Sequence, residues 1–189
     1  MAQPLRKTLQ LKITLMGTKP PIWRRVLVAD SATLGELHHI LQIAMGWADS
    51  HLHMFIVDQK RYGTLDPEWD VLDEGLLDES NVRLKTVLKN EKSSISYEYD
   101  FGDGWFHNID LEKKLDFNPA EELPKCVTGR RGCPPEDVGG VWGYQNFLEI
   151  YQDDQHPEHD EMVEWAGEYY HPEIFDIKEI NEILYESFR

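Results

Sequence analysis

The sequence predicts an α+β fold: a ββαββ grasp-like mixed sheet, extended by a further hairpin and followed by a C-terminal helical segment. Three observations predict it. Apolar and polar residues alternate with period two through Leu9, Leu11, Ile13 and Leu15, and again through Ile95, Tyr97, Tyr99 and Phe101. Between them, Leu34, Leu37, Ile40, Leu41, Ala44 and Met45 recur at helical spacing. After Leu115 the strand signals stop, and helical spacing takes over from Val141.

The elements follow in order. The first alternating run meets a turn over Gly17 to Pro21, and Ile22 to Val28 returns as its hairpin partner. Thr33 and Glu36 have the spacing of a capping box, and Gly46 stands where a C-cap glycine belongs, which bounds a helix over Leu34 to Met45. His51 to Val57 and the short Lys60 to Tyr62 read as two more strands. Residues 63–80, with Asp66-Pro67 and Gly75, read as an acidic surface loop, and Val82 to Leu88 suits a strand or a short helix equally.

The next segment, Tyr97 to His107, places apolar rings on both sides of Gly102-Asp103-Gly104. A three-residue loop pairs odd positions with odd, setting Phe101 against Trp105 and Tyr99 against His107, with Gly104 at positive φ. A two-residue loop would set apolar residues against polar ones. Residues 118–140 are rich in Pro and Gly and read as an irregular loop pinned to a scaffold.

In the last part, Val141, Tyr144, Phe147, Leu148 and Tyr151 share a helical face. His156-Pro157-Glu158 opens a second helix that closes at Gly167, with Pro157 at its first position. Asp176 with Glu179 caps a last helix whose Ile177, Ile180, Leu184 and Phe188 turn inward. The aromatic stripe Trp142, Tyr144, Phe147, Tyr151 and Trp165 reads as core.

No linker divides the 189 residues, so one domain is expected: a sheet with one main helix over 1–117, the loop 118–140, and the helical segment 141–189. No apolar run approaches a membrane span and no signal-peptide core leads the chain, which points to a soluble cytoplasmic protein without a membrane partner. Cys126 and Cys133 match no disulfide framework or zinc motif and fit a reducing compartment.

Charge excludes one class of partner. The net charge is −16, from 35 acidic against 19 basic residues, and the pI is 4.8. Nucleic-acid affinity rests on neutralising phosphates, so no nucleic-acid partner is expected. Thirteen acidic residues lie between Glu149 and the C-terminus, mainly on outward helix faces.

Three constellations carry the residue types of a site. The first is Asp100, Asp103 and His107 at the hairpin, which suits a divalent metal or a positioned water. The structural alternative is that the aspartates cap their own turn and His107 bonds the Tyr99 hydroxyl. The second is the loop with Arg130, Arg131, Glu136, Asp137, Gly139 and Gly140: two guanidinium groups suit a carboxylate or phosphate, and the glycines permit close approach to a ligand. Its alternative is a rigid turn in which the carboxylates pair with the arginines. The third is His156, His159 and Asp160, with His171 beyond, a partial metal-ligand set at a capped helix start. Cys133 beside Pro134 reads as a small apolar group, not a nucleophile.

The hairpin, together with Gly129-Arg130-Arg131-Gly132-Cys133-Pro134-Pro135-Glu136-Asp137-Val138-Gly139-Gly140, His156-Pro157-Glu158-His159-Asp160-Glu161-Met162, Pro21-Ile22-Trp23-Arg24-Arg25 and Thr33-Leu34-Gly35-Glu36-Leu37, resembles the plasmid pRiA4b ORF-3-like family over nearly the whole chain. The resemblance implies no activity. Family labels that point to transposon resolvases find no basic DNA-binding arm here.

No nucleophile motif, phosphate loop or complete metal motif appears, so a non-enzymatic binding or accessory module with a protein partner and no cofactor is expected. The alternative is a metal-assisted hydrolase with a site between the 100–107 hairpin and the 130–140 loop. Both readings expect these two segments to meet, because a loop so rich in Pro and Gly is held only by anchoring its polar groups.

Overall fold

The structure, a computed structural model, describes residues 6–65, 75–167 and 169–189. Strands β1 (Lys7–Leu15) and β2 (Ile22–Ala29) form an antiparallel hairpin that sets Leu9 against Val28 and Leu11 against Val26. Helix α1 (Leu34–Met45) follows. The Thr33 hydroxyl accepts from the Glu36 N–H, the Glu36 carboxylate accepts from the Thr33 N–H, and Gly46 closes the helix at φ 89°. Strands β3 (His53–Val57) and β4 (Lys60–Gly63) turn through Asp58 and Gln59, both at positive φ as a two-residue hairpin turn requires.

Beyond these come β5 (Leu76–Asp78), the single-turn helix α2 (Leu84–Val87), β6 (Ser94–Tyr99), β7 (Trp105–Asp116) and β8 (Lys125–Arg130). Helices α3 (Gly140–Tyr151), α4 (His159–Ala166) and α5 (Ile177–Ser187) end the chain. The sheet has eight strands in the order β5-β4-β3-β6-β7-β1-β2-β8, antiparallel except for the β4–β5 pair. The expected α+β architecture is therefore present, and the further hairpin takes the middle of the sheet, joining β3 to β1.

The core lies on the face where Leu9, Leu11, Ile13, Val26, Ile95, Tyr97, Tyr99, Trp105, Ile109 and Leu111 meet α1. Arg24 is also buried, opposite Ile13. Its Nε donates to the Ala44 carbonyl in the last turn of α1 at 2.7 Å, its Nη1 to the carbonyls of Trp23 and Arg130, and its guanidinium lies over Phe175 at 4.5 Å. A helix C-terminus stabilises a cation, so the burial cost is offset while α1, β2 and β8 are tied together.

Several local expectations are corrected. The β6–β7 register is shifted by one pair: Tyr97 faces His107 and Tyr99 faces Trp105, so the loop has five residues, 100–104, instead of three. Odd-to-odd pairing and positive φ at Gly104 both hold. The loop lengthens because Asp100 adopts φ 57°, accepts the Gly102 and Asp103 N–H groups on Oδ1 at 2.9 and 3.3 Å, and accepts Gly104 N–H on its carbonyl at 2.6 Å. Phe101 is thereby turned out of the sheet, half exposed.

The 118–140 segment also contains a strand. β8 is short, bulged against β2 between Arg25 and Val26, and sits at the sheet edge, so it shows no sustained alternation. Asn181 of α5 seals that edge, its amide accepting the Cys126 N–H at 2.8 Å and donating to the Cys126 carbonyl at 2.9 Å.

Within 63–80, Asp66 and Pro67 lie outside the described residues, while β5 and the buried Glu79 belong to the scaffold and not to a surface loop. Pro157 precedes α4, which starts at His159. Trp142 leaves the aromatic stripe for solvent, whereas Trp165 is half exposed and keeps an edge-on contact with Phe147 at 5.9 Å. Trp142 lies two residues before Tyr144, about 200° around the helix from the buried face.

Candidate functional site

Two polar clusters sit under the C-terminal end of α1. In the first, His38 on α1 is buried between Tyr97 and Asp49. Gln42 Nε2 donates to the Tyr97 hydroxyl at 3.0 Å, and that hydroxyl stands 2.8 Å from His38 Nδ1. The Asp49 carboxylate only accepts, so His38 Nε2–H donates to Asp49 Oδ1 at 2.8 Å. The Asp49 N–H returns to Gln42 Oε1 at 3.2 Å, and His39 Nδ1 stands 3.6 Å from Asp49 Oδ2. Burial, with His53 and His39 nearby, lowers the His38 pKa to about 2, so the imidazole is neutral and its Nδ1 accepts the Tyr97 O–H. His53 lies against His38 and shares Nε2 with both oxygens of the buried Glu79, at 3.1 and 3.0 Å.

The second cluster is where the hairpin meets the loop before α3. The Tyr99 hydroxyl donates to Glu136 Oε1 at 2.5 Å and accepts the Ser50 N–H at 2.9 Å. Glu136 Oε2 accepts the Ala48 N–H at 3.1 Å, and Trp47 Nε1 donates to the Pro134 carbonyl at 3.0 Å. Burial first and the Glu136 carboxylate second push the Tyr99 pKa up, so its phenol remains a donor. Gly139 N–H donates to Asp103 Oδ2 at 3.0 Å, and a Cβ at Gly140 would stand 2.3 Å from the Asp103 carbonyl. The paired glycines thus permit close approach, but to the hairpin backbone.

At this junction His51 Nε2 stands 3.2 Å from Asp137 Oδ1 and 3.7 Å from Asp100 Oδ2. The structure therefore brings Asp100, Asp103, Glu136, Asp137, Gly139 and Gly140 together. His107 is elsewhere: it is fully buried one pair deeper in the sheet, its Nδ1–H donates to the Trp105 carbonyl at 3.0 Å instead of to Tyr99, and burial lowers its pKa to about 4.

The arginines also face away. Arg131 Nη1 donates to Glu173, and the Arg130 side chain is exposed, so neither supplies the junction carboxylates. Tyrosine, tryptophan and backbone donors do so instead. His156 Nδ1 accepts the Glu158 N–H, His159 Nδ1 pairs with Asp160, and His171 Nδ1 accepts the Glu173 N–H, each local to its own turn. Among the described residues, the groups of three metal-ligand types whose atoms converge are His38, His39, Asp49 and His51, Asp100, Asp137. The His156, His159, Asp160 set is not among them. Burial holds the Cys133 thiol up at about 12 and the Cys126 thiol at about 11, as expected of inert thiols.

Sequence reasoning missed His38, His39, Asp49, His51, His53 and Glu79. One signal was available: four of the eight histidines lie between 38 and 53. Helical spacing puts His38 on the buried stripe with Leu34, Leu41 and Met45, and His51-Leu52-His53 enters a strand.

An eight-stranded, mostly antiparallel open sheet with helices and a C-terminal helix defines an α+β protein, and among its described residues no helix is long and apolar enough to cross a membrane. Residues 7–179 match the model of the plasmid pRiA4b ORF-3-like proteins, and the chain belongs to that family. It is 42% identical over 161 residues to the uncharacterized protein y4hQ of Sinorhizobium fredii (strain NBRC 101917 / NGR234), covering 84% of this chain and 80% of that one. Its fold is similar to the crystal structure of a protein of unknown function, MM3350, from Methanosarcina mazei Go1, with a TM-score of 0.81 and 36% identity over 93% of this chain and 98% of that one.

Proposed function

We propose that the chain is a non-enzymatic binding module, and that the end of the sheet bearing the 100–104 loop receives a protein partner. The observation that carries this reading is how the junction is built. Both oxygens of Glu136, Oδ1 of Asp100 and Oδ2 of Asp103 accept internal donors, so half of the oxygens on the four carboxylates Asp100, Asp103, Glu136 and Asp137 hold the surface rigid.

Around that surface, Met16, Leu52, Phe101, Phe106 and Trp142 are between 44% and 82% exposed. They belong to one end of the molecule. The Asp100 N–H bonds the Leu52 carbonyl, the Met16 N–H bonds the Phe106 carbonyl, and Val141 packs on Gly17 beside Trp142. Large rings on a rigid frame are the usual anchors of protein interfaces. With Asp103 and Asp137 among these rings and −16 on the chain, the complementary partner has an apolar centre and a basic rim. A second copy would set these acids against each other.

The test is affinity selection from host extract with the wild type, a Phe101→Ser/Trp142→Ser double variant and a Tyr185→Ser control. A basic protein retained by wild type and control, released by salt and lost by the double variant, is the expected result. Equal retention by all three proteins refutes the reading. The hydrolase alternative asks for free carboxylate oxygens at the same junction, and of its candidates Asp100 and Asp137 alone present one toward His51.

A further inference from the structure

We propose that His51, Asp100 and Asp137 form a binding site for a first-row divalent transition-metal ion. The three residues come from segments far apart in sequence: the loop before β3, the start of the β6–β7 loop, and the loop before α3. Each offers one ligand atom, Nε2, Oδ2 and Oδ1, and these lie within 4.8 Å of one another. A tetrahedral ion with bonds of about 2.1 Å sets its ligand atoms about 3.4 Å apart. The separations of 3.2 and 3.7 Å from His51 Nε2 bracket that distance.

The donors are oriented in advance. Asp100 Oδ1 is held by the Gly102 and Asp103 N–H groups, which leaves Oδ2 turned toward His51. The His51 ring stands edge-on to Tyr99 at 5.8 Å, and Tyr99 is itself fixed by Glu136. Independently of the carboxylates, His51 Nε2 is buried and makes no hydrogen bond, although two carboxylate oxygens stand near it. A proton on that nitrogen meets neither oxygen in hydrogen-bond geometry, whereas a single ion lies within reach of all three ligand atoms.

One imidazole with two carboxylates selects zinc, manganese, iron or cobalt over calcium or magnesium, whose ligands are all oxygen. The Asp137 side chain is largely exposed, so the remaining coordination positions open to solvent and are filled by water. Such an ion would clamp the hairpin to the loop before α3, and it does so whatever docks on the apolar rings outside.

The experiment uses full-length protein without an affinity tag, stripped with chelator and titrated with Co2+ as an optical probe. Thermal unfolding is followed with and without Zn2+. One equivalent of Co2+ should give visible ligand-field bands, and Zn2+ should raise Tm. Asp137→Asn is the cleanest variant, because asparagine tolerates the φ of 60° at this exposed position. It should weaken binding at least about ten-fold, as should His51→Gln, whereas His39→Gln should bind as wild type. Absence of stoichiometric binding overturns the proposal, as does binding that survives Asp137→Asn but is lost in His39→Gln. Metal-dependent ester hydrolysis that disappears in Asp137→Asn would support the ion site while refuting the non-enzymatic reading.

Discussion

The imidazole of His53 lies flat on that of His38, with ring centroids 3.4 Å apart and planes inclined by 6°. Two imidazolium ions are not stable at that separation in a buried site, and burial with its two histidine neighbours keeps His38 neutral. A carboxylate closes each outer edge of the pair, Asp49 on His38 and Glu79 on His53.

Stability should therefore fall with acid. His38 and His107 both have folded-state pKa values below 6.5, at about 2 and about 4. A depressed value stabilises the fold above the unfolded pKa and is lost as pH drops through it, since the unfolded chain then binds the proton first. Between pH 7.5 and 5.5 each histidine should remove about 1.4 kcal/mol, roughly 2.7 together. Asp49 and Glu98 are shifted upward by burial and act in the opposite sense, at the lower pH where carboxylates titrate. Urea unfolding at the two pH values measures the fall, and His107→Phe should halve it. Stability independent of pH over this range would contradict the account.

Tyr97→Phe should cost about 1–3 kcal/mol. The hydroxyl it removes satisfies Gln42 Nε2 and His38 Nδ1 in a buried site, and both are left without a partner. Tyr144→Phe loses only a 3.3 Å contact with the Tyr170 hydroxyl, so it should cost less. Chemical denaturation of the two variants gives the comparison, and equal costs would argue against the relay.

Gly140→Ala, at a buried glycine, should be among the most damaging single substitutions, at roughly 2 kcal/mol or more. Gly140 has φ 66°, and the new methyl would stand 2.3 Å from the Asp103 carbonyl, so it strains the backbone and pushes the hairpin off the loop together. Gly46 also has positive φ, 89°, in the left-handed region but open space around it. Gly46→Ala isolates the backbone cost, about 1 kcal/mol, and calorimetry of both variants separates the two effects.

Tyr99→Phe should loosen the junction more than the sheet. Glu136 Oε1 loses its donor and the Ser50 N–H its acceptor, while the β1–β7 ladder is untouched. Amide hydrogen exchange should quicken at Ala48, Ser50 and Gly139 and stay unchanged at Leu11 and Ile13. Uniform quickening across the chain would indicate global destabilisation instead.

The sequence by itself determined what rests on local periodicity and short-range hydrogen bonds. The α1 helix is bounded by the Thr33 and Glu36 capping box and by Gly46 because each of those bonds spans only a few residues. The parity of the β6–β7 pairing was legible for the same reason, since burying one face permits only odd against odd. The meeting of hairpin and loop was foreseeable from the need to anchor polar backbone. The register itself was not, because it turned on the Asp100 carboxylate capping its own loop in place of a further pair of strand residues. Strand β8 draws its pairing from β2 and its edge protection from Asn181, more than fifty positions later. The histidines tell the same story. Only the tertiary structure decided that His38 meets His53 and Glu79, that His51 meets Asp100 and Asp137, and that Arg131 turns away to Glu173. A buried or bridging polar group is fixed by donors that chain topology delivers from distant segments, and no local pattern encodes which of them arrive.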